Sequence, residues 1–419
     1  MRRILYLLFL LTLTASVKGQ DHSVTRKPKQ STTTTVAPKP KPKPTTPAAK
    51  PKTQSQTTSK QKTKPDPFSI KEFVADGFNF IILNTSEVAV YPNKNNHYKG
   101  HLIIPEKVNY KGKEYKVVKV GHCIYHTTKS YTSFMHWGFY YNNDITSVTI
   151  PYGVTTIGER AFMNCENLIS VSIPNSVTTI EVDAFDRCKS LNSIVIPNSV
   201  KQIGNSAFSS CSALASVTIP NNGIDISIGA FFCSCDKLEK ALYTSDLFIH
   251  LPENYQGDYK IPEGIKTVAD GAFHSCEKLT SVTMPSSVTR IGSYMFSNCR
   301  SLTSVVLPSG IKRIPFAAFA DCYGLTNITI PNSVIYIGED AFQYCSRLTN
   351  IRIPDNVKEI EKLAFKECKA LHSVSIPESL INNLGDGIFE NCINLKSVTV
   401  RYPDGREDKI PIKDNWKKW

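Results

Sequence analysis

A single cysteine returns in the same short frame along most of the sequence, and this periodicity is the strongest constraint on the fold. The stretch from Ala184 to Val200 reads AFDRCKSLNSIVIPNSV, and closely similar stretches precede and follow it. Successive cysteines of the column stand 23, 23, 24, 41, 23, 23, 23, 23 and 24 residues apart. A fixed period of this length is typical of a solenoid built from stacked structural units. The column comprises Cys165, Cys188, Cys211, Cys235, Cys276, Cys299, Cys322, Cys345, Cys368 and Cys392.

Each unit carries the pattern of one short strand followed by a turn. Residues 168–173 have the form L-x-x-V-x-I, in which Val171 and Ile173 alternate with two serines, so the apolar side chains point inward. Pro174 ends the strand because proline cannot donate to a continuing ladder. A second extended piece and a helical turn around each A-F pair complete the unit. The sequence therefore predicts an α/β repeat, a leucine-rich repeat solenoid of about ten 23-residue rungs with short parallel strands.

The stacked cysteines are interpreted as a structural ladder of free, buried thiols. A thiol is a small, mostly apolar filler and a weak S–H donor, which suits a crowded interior. A disulfide framework is the rival, since an exported chain favours it, but stacked side chains point in parallel and do not meet disulfide geometry. Cys123 and Cys233 stand outside the frame and are the candidates for other pairing. One cysteine per rung lacks the paired spacing of zinc sites, so we expect no metal.

The ends of the chain differ from the repeats in composition. Residues 1–19 read as a signal peptide, with Arg2 and Arg3 before a short apolar run. Residues 20–67 are Lys-, Pro- and Thr-rich and are predicted to be a disordered linker. Residues 68–144 are assigned to an N-terminal β-rich cap with an irregular first rung, 145–400 to the solenoid and 401–419 to a C-terminal tail. The expected location is secreted or cell-surface, without a membrane span.

The net charge of +13 comes almost wholly from the N-terminal segments. Residues 21–67 carry +9 and the signal peptide +3, which leaves +1 for residues 68–419. A nearly neutral folded part argues against nucleic acid as a partner. The lysines of the linker could contact an anionic surface, although a plain spacer is the simpler interpretation.

The repeat I-G-x-x-A-F-x-x-C-x-x-L-x-S-V-x-I-P-x-S-V resembles the BspA-like (Treponema pallidum type) leucine-rich repeat family over residues from about 145 to 400. Residues 98–121, YKGHLIIPEKVNYKGKEYKVVKVG, are similar to the N-terminal portion of that family. The resemblance implies a bacterial or protozoan surface protein that mediates adhesion by binding an extracellular protein or glycan, for example host matrix. The alternative is a structural surface or matrix component that self-associates. No enzyme motif occurs, and neither catalysis nor a cofactor is expected.

Candidate ligand-binding residues lie where the repeat is broken and on the strand face. Residues 121–143 form an aromatic-rich insertion, which predicts either a recognition patch or a lid over the end of the stack. Its histidines and Cys123 could also gather a metal. Serine and other small polar side chains form columns along the exposed strand positions, suited to broad contact or simply to solubility. The candidate ligand-binding residues are Tyr131, Trp137, Tyr140, Tyr141 and Arg352.

Two further features are read from local sequence. Residues 239–267 lack the F-x-x-C turn, and we expect a local bulge in the solenoid there. Asn84 and Asn327 each begin an N-x-[ST] sequon and are possible glycosylation sites in a eukaryotic host.

The thiol ladder makes a direct prediction about chemical labelling. Alkylation of denatured, unreduced protein is expected to modify most of the twelve cysteines, because free thiols react without prior reduction. Mass spectrometry of the labelled protein counts the modified sites. Label on no more than about two thiols contradicts the ladder and favours a disulfide framework.

Overall fold

The chain winds into a β-solenoid of about 11 turns within the residues that the structure describes. The structure is a computed structural model that describes residues 71–127, 132–221, 225–226 and 232–412. The predicted signal peptide and linker lie outside these ranges. In the described part of the chain, no helix has the length and apolar character needed to cross a bilayer.

The strands are short, and most contain two to six residues. The N-terminal strands are β1 (Glu72–Ala75), β2 (Phe78–Ile82), β3 (Glu87–Pro92), β4 (Gly100–Ile103), β5 (Lys107–Tyr110), β6 (Lys113–Val120), β7 (His122–Thr127) and β8 (Thr132–Trp137). The next turns contain β9 (Ile145–Thr149), β10 (Thr156–Ile157), β11 (Ser170–Ser172), β12 (Thr179–Ile180), β13 (Ser193–Val195), β14 (Gln202–Ile203), β15 (Ser216–Thr218) and β16 (Asp225–Ile226).

The second half repeats this arrangement after an irregular turn. Its strands are β17 (Leu242–Tyr243), β18 (Leu247–His250), β19 (Gln256–Lys260), β20 (Thr267–Val268), β21 (Lys278–Thr283), β22 (Ser304–Val306), β23 (Arg313–Ile314), β24 (Tyr336–Ile337), β25 (Asn350–Arg352), β26 (Glu359–Ile360), β27 (Ser373–Pro377), β28 (Ser397–Arg401) and β29 (Glu407–Pro411). A 3₁₀ helix spans Glu378–Leu380. Strand β29 lies in the predicted C-terminal tail and pairs with β28 antiparallel.

Most regular turns contribute strands to two parallel columns, of which the outer one is interrupted in places. In the outer column Ser147 of β9 pairs with Ser170 of β11, and β13 pairs with β15 in the same way. In the second column Ile157 of β10 pairs with Ile180 of β12, and the pairing continues through β14 and β16. Equivalent residues of successive turns therefore lie side by side, as the 23-residue period predicts.

The A-F-x-x-C segment forms a tight turn rather than the predicted helical turn, so the helical half of the α/β prediction is not confirmed. Its backbone N–H groups bond alternately to carbonyls of the same turn and to carbonyls of the next turn. Cys165 N–H bonds to the Phe162 carbonyl at 3.2 Å, whereas Phe162 N–H bonds to the Ala184 carbonyl of the next turn at 2.8 Å. Residues in the left-handed region, such as Arg187 with φ 58°, prevent a continuous helix. The turn is therefore held by its neighbour.

Stacked phenylalanine rings fill the interior next to these turns. One stack runs through Phe139, Phe162, Phe185, Phe208 and Phe232 with ring centroids 5.4–5.6 Å apart. A second stack runs from Phe248 to Phe389 with spacings of 4.8–5.7 Å. Offset stacking of buried rings stabilises each turn against the next. The two stacks belong to two separate buried clusters, and the division falls in the irregular turn, where Phe248 belongs to one cluster and Ile249 to the other.

The irregular stretch 239–267 is a turn of its own, and the predicted bulge underestimates it. Strands β17 and β18 form an antiparallel hairpin, and β18 also pairs with β20 in parallel. Strand β19 joins the outer column through β21. Phe248 supplies the ring that stacks on Phe273 at 5.0 Å. This additional turn explains why the solenoid exceeds the expected ten rungs.

The N-terminal segment is rich in strands and continues into the solenoid. Strands β1, β2 and β3 pair antiparallel, and β3 pairs with β6 in parallel. Strand β6 then pairs with β10 in parallel, so the second column begins in this segment. Its role as a cap, and the segment boundaries drawn from sequence, stay predictions.

Truncation of a stacked ring tests the contribution of the phenylalanine column. Phe319 is fully buried between rings at 5.3 and 5.1 Å, so Phe319→Ala is expected to lower the free energy of unfolding by about 3 to 5 kcal/mol. Val306→Ala is the matched control, because Val306 lies on a strand of the same region but is 60% exposed. Urea unfolding followed by circular dichroism measures both. Equal midpoints for the two variants contradict a stabilising stack.

Candidate binding cleft and buried polar cluster

The segment 138–142 places two tyrosines at the first turn of the phenylalanine stack. Phe139 is buried and stacks on Phe162 at 5.5 Å, which anchors the segment. Tyr140 and Tyr141 follow directly, and Tyr141 takes the left-handed conformation (φ 59°) of later turns. Its N–H bonds to the Met163 carbonyl at 2.9 Å. The repeat geometry therefore directs both tyrosines away from the interior.

A cleft of about 920 Å³ lies beside these tyrosines. Its other wall is the loop after β3, held in place because Gly100 N–H bonds to the Asp144 carbonyl at 2.8 Å. The Tyr98 ring also packs edge-on against Phe139 at 5.3 Å. The lining residues are Glu72, Asn79, Tyr91, Pro92, Asn93, Lys94, Asn95, Asn96, His97, Tyr98, Gly138, Phe139, Tyr140, Tyr141, Asn142, Asn143 and Asp144.

The cleft combines exposed aromatic rings with amide side chains. Tyr140 is 44% and Tyr141 66% exposed, and their rings meet edge-on at 5.9 Å. Asparagine amides both donate and accept hydrogen bonds, and tyrosine offers an apolar face with a polar tip. Several lining groups are already ordered, since the Tyr91 hydroxyl donates to Glu72 at 2.8 Å and the Tyr98 hydroxyl to the Gly77 carbonyl at 2.6 Å. A concave surface with a few ordered polar groups among aromatic rings has the general character of a ligand-binding cleft.

The structure brings only some of the candidate residues together. Tyr140 and Tyr141 line the cleft, but Tyr131 lies outside the described residues, and only the backbone of Trp137 is described, at the end of β8. Arg352 is exposed in β25 beside Ser375 and takes no part in the cleft. The asparagines of residues 93–96 were missed, because a polar loop between strands looks like an ordinary turn.

The two sequon asparagines are both exposed. Asn84 lies between β2 and β3, where its amide donates to Glu87 at 2.6 Å. Asn327 lies between β23 and β24. Their glycosylation stays a prediction.

The outer strand face carries two ordered polar residues that the repeat pattern did not predict. The imidazole of His101 lies 2.7 Å from the Ser147 hydroxyl and 3.2 Å from that of Thr149. Farther along, Asp258 accepts hydrogen bonds from Thr280 and Ser281, each at 2.6 Å. The Ser281 and Thr280 hydroxyls hold the pKa of the Asp258 carboxyl below its usual value. Both residues lie on strands outside the regular repeat, so its frame contained no signal for them.

The cysteine column is buried, and most of its thiols have the same type of hydrogen-bond partner. Nine of them donate to the phenylalanine carbonyl of the preceding turn at 2.9–3.3 Å. Cys276 instead contacts the Leu251 and Pro252 carbonyls, each at 3.6 Å, because the preceding turn is the irregular one. Burial raises the pKa of Cys165 to about 12. The eleven cysteines with described side chains are free.

A different polar cluster occupies the irregular turn. Cys233 Sγ lies 3.5 Å from Nδ1 of His274, and Glu253 accepts a hydrogen bond from Ser234 N–H at 2.8 Å. Burial raises the pKa of the Cys233 thiol and of the Glu253 carboxyl, and it lowers the pKa of His274 to about 4. His250 is buried nearby, and burial followed by the proximity of His274 lowers its pKa to about 3. Both imidazoles are therefore neutral near pH 7.

The repeats match a known family model. The BspA type leucine rich repeat region matches in six copies, over residues 133–255, 254–343 and 290–403. The chain belongs to this family. No curated protein matches the chain. The family assignment accounts for the repeating strands and turns, and the residues of the cleft at 93–98 precede the region matched.

Solved leucine-rich repeat structures resemble this BspA-type chain at low identity. A leucine-rich repeat protein from Bacteroides ovatus is 26% identical, covers 78% of this chain and 94% of its own, and has a TM-score of 0.37. A leucine rich cell surface protein from Faecalibacterium prausnitzii is 24% identical, with coverage of 81% and 96% and a TM-score of 0.39. The pneumococcal vaccine antigen PcpA is 17% identical, with coverage of 76% and 98% and a TM-score of 0.47. Because these scores lie below 0.5, the family membership rests on the repeat match.

The depressed pKa of His250 predicts a loss of stability on mild acidification. As the pH is lowered from about 6.5 to about 3, the unfolded state takes up a proton at His250 that the folded state excludes. The free energy of unfolding therefore decreases as the pH decreases in this window. His250→Gln is expected to flatten that dependence. Urea titrations at pH 7, 6 and 5 give the change of unfolding free energy with pH for each protein. His372→Gln is the control, because His372 is exposed, and it should show the same pH dependence as the unmodified protein. Identical slopes for all three proteins contradict the assignment.

Proposed function

We propose that the protein is a secreted or cell-surface binding protein that mediates adhesion without catalysis. The observation that supports this most directly is the preformed cleft with two exposed tyrosines beside an asparagine-rich loop. Membership of the BspA-type family and the signal-like N-terminus are consistent with an exported protein. The regular turns provide a rigid support on which the cleft is held.

The chemistry of the cleft favours a glycan as the ligand. A sugar ring presents apolar C–H faces that pack on Tyr140 or Tyr141 and hydroxyls that both donate and accept hydrogen bonds. The amides of Asn95 and Asn142 offer both functions, and the carboxylates of Glu72 and Asp144 accept. An extracellular protein that inserts a polar loop is the other ligand class in this proposal. Shallow contacts along the outer strand face, including Arg352, extend the interface.

In this proposal, strong adhesion results from many weak contacts made at the same time. Individual shallow sites bind weakly, and clustering of copies on a surface raises the effective concentration of the second and later contacts. The lysines of residues 20–67 add a weak contact to anionic surfaces. The alternative function, a self-associating matrix component, needs no cleft and predicts assembly of the purified protein alone.

Substitution of the cleft tyrosines tests the proposal. Binding of the full chain to a glycan array and to immobilised matrix proteins is expected to be saturable, and Tyr141→Ala is expected to weaken it by about tenfold or more because the ring is a central contact. Tyr152→Ala is the matched control, since Tyr152 is 72% exposed on the same half of the solenoid but lies outside the cleft. Arg352→Ala measures the contribution of the strand face.

The same samples distinguish the alternative. Sedimentation velocity without ligand is expected to show a sedimentation coefficient that does not change with protein concentration. Concentration-dependent polymerisation together with equal binding by Tyr141→Ala and Tyr152→Ala contradicts the adhesion proposal and supports the matrix component.

A further inference from the structure

Three ligand atoms of different residues converge at the irregular turn. Cys233 Sγ, a carboxylate oxygen of Glu253 and a ring nitrogen of His274 all lie within 4.8 Å of one another. Cys233 is buried, and the other two side chains are partly buried. We propose that these three side chains form a zinc site that joins the turns on either side of the irregular one.

The distances agree with tetrahedral coordination. Zinc bonds of about 2.3 Å to sulfur and about 2.0 Å to nitrogen at a tetrahedral angle place the two ligand atoms about 3.5 Å apart. Cys233 Sγ and His274 Nδ1 are 3.5 Å apart. A carboxylate oxygen of Glu253 lies within 4.8 Å of both atoms. Thiolate, imidazole and carboxylate together are donors that suit Zn²⁺.

The three residues come from different turns, and two of them, Cys233 and His274, replace ordinary repeat residues. Cys233 and His274 each follow the stacked phenylalanine of their turn, Phe232 and Phe273. The residue at this position is serine in the neighbouring regular turns, Ser209 and Ser297. Within the ranges that the structure describes, no other group of three His, Cys, Asp or Glu side chains brings its ligand atoms this close. The cluster therefore coincides with the irregular turn.

The thiol of Cys233 differs from those of the cysteine column. Cys235, two residues later, donates to the Phe208 carbonyl at 3.3 Å, as its counterparts do in other turns. Cys233 instead faces an imidazole and a carboxylate. Glu253 bonds to the Cys233 thiol and to Ser234 N–H, and this arrangement does not orient the His274 ring as the carboxylate of a catalytic triad does. Shared coordination of one cation explains why these three side chains converge.

The cluster can be reached from solvent. Glu253 and Ser275 line a cleft of about 420 Å³ together with Asp236 and Glu277. A water from this cleft completes four ligands. The Ser275 hydroxyl lies 3.0 Å from His274 Nδ1 and has to turn away when zinc binds, and Asn298, which donates to that hydroxyl at 3.2 Å, keeps it partnered.

Zinc content of the full chain tests the site. The reduced protein is stripped with a chelator, loaded with ZnCl₂ and dialysed, and it is expected to retain about one zinc per chain by mass spectrometry. Cys233→Ser, His274→Ser and Glu253→Gln are each expected to lose that zinc. The serine replacements reproduce residues that equivalent turns already carry, so the variants should fold. Cys211→Ser is the matched control, because it alters a buried thiol that has a carbonyl partner, and it keeps the zinc.

A second readout identifies the sulfur ligand. Cobalt(II) in place of zinc is expected to give a thiolate charge-transfer absorption that is absent in Cys233→Ser and present in Cys211→Ser. Cys123→Ser, which alters the cysteine of the histidine-containing insertion, is expected to retain both metal and absorption. The proposal is overturned if the folded protein retains no zinc, or if Cys233→Ser and His274→Ser retain as much as the unmodified chain.

Discussion

Every turn of this solenoid depends on backbone hydrogen bonds to the turn beside it. The N–H of Phe162 bonds to the Ala184 carbonyl, and the thiol of Cys188 donates back to the Phe162 carbonyl at 3.2 Å. A turn in isolation leaves these groups unpaired and exposes its phenylalanine. The stack is therefore stable only as an array. The cysteine is retained in the frame because its thiol is small enough for the interior and still satisfies a buried carbonyl.

This constraint also explains where binding features occur. In a regular turn nearly every inward position is occupied by the repeat, and the outer strand positions are small and polar. Distinctive chemistry is concentrated where the array begins or is interrupted. At the N-terminal side, the turn of Phe139 ends in Tyr140 and Tyr141 and meets the loop after β3. In the middle, the turn of Phe248 lacks the repeating cysteine and instead places Glu253 beside Cys233 and His274.

The repeat frame predicts the regular part of the structure well because its signals are local. Alternation around Val171 predicts the strand, and Pro174 predicts its end. The helical turn was not confirmed, because the competing hydrogen bonds come from the adjacent turn, which a local pattern does not contain. The irregular turn was underestimated for a similar reason: Phe248 lies outside the A-F-x-x-C frame and is recognised only when its ring is seen on Phe273.

The sequence by itself determined the repeat, the inward positions and the family, since a side chain that recurs every 23 residues occupies an equivalent place in every turn. Only the tertiary structure decided which distant segments meet. The cleft exists because β4 pairs with β9 and brings Asn95 near Tyr141, and the buried cluster joins Cys233 to His274 across an intervening turn. Both juxtapositions depend on the register and size of irregular segments, whose hydrogen bonds are made with partners far along the chain.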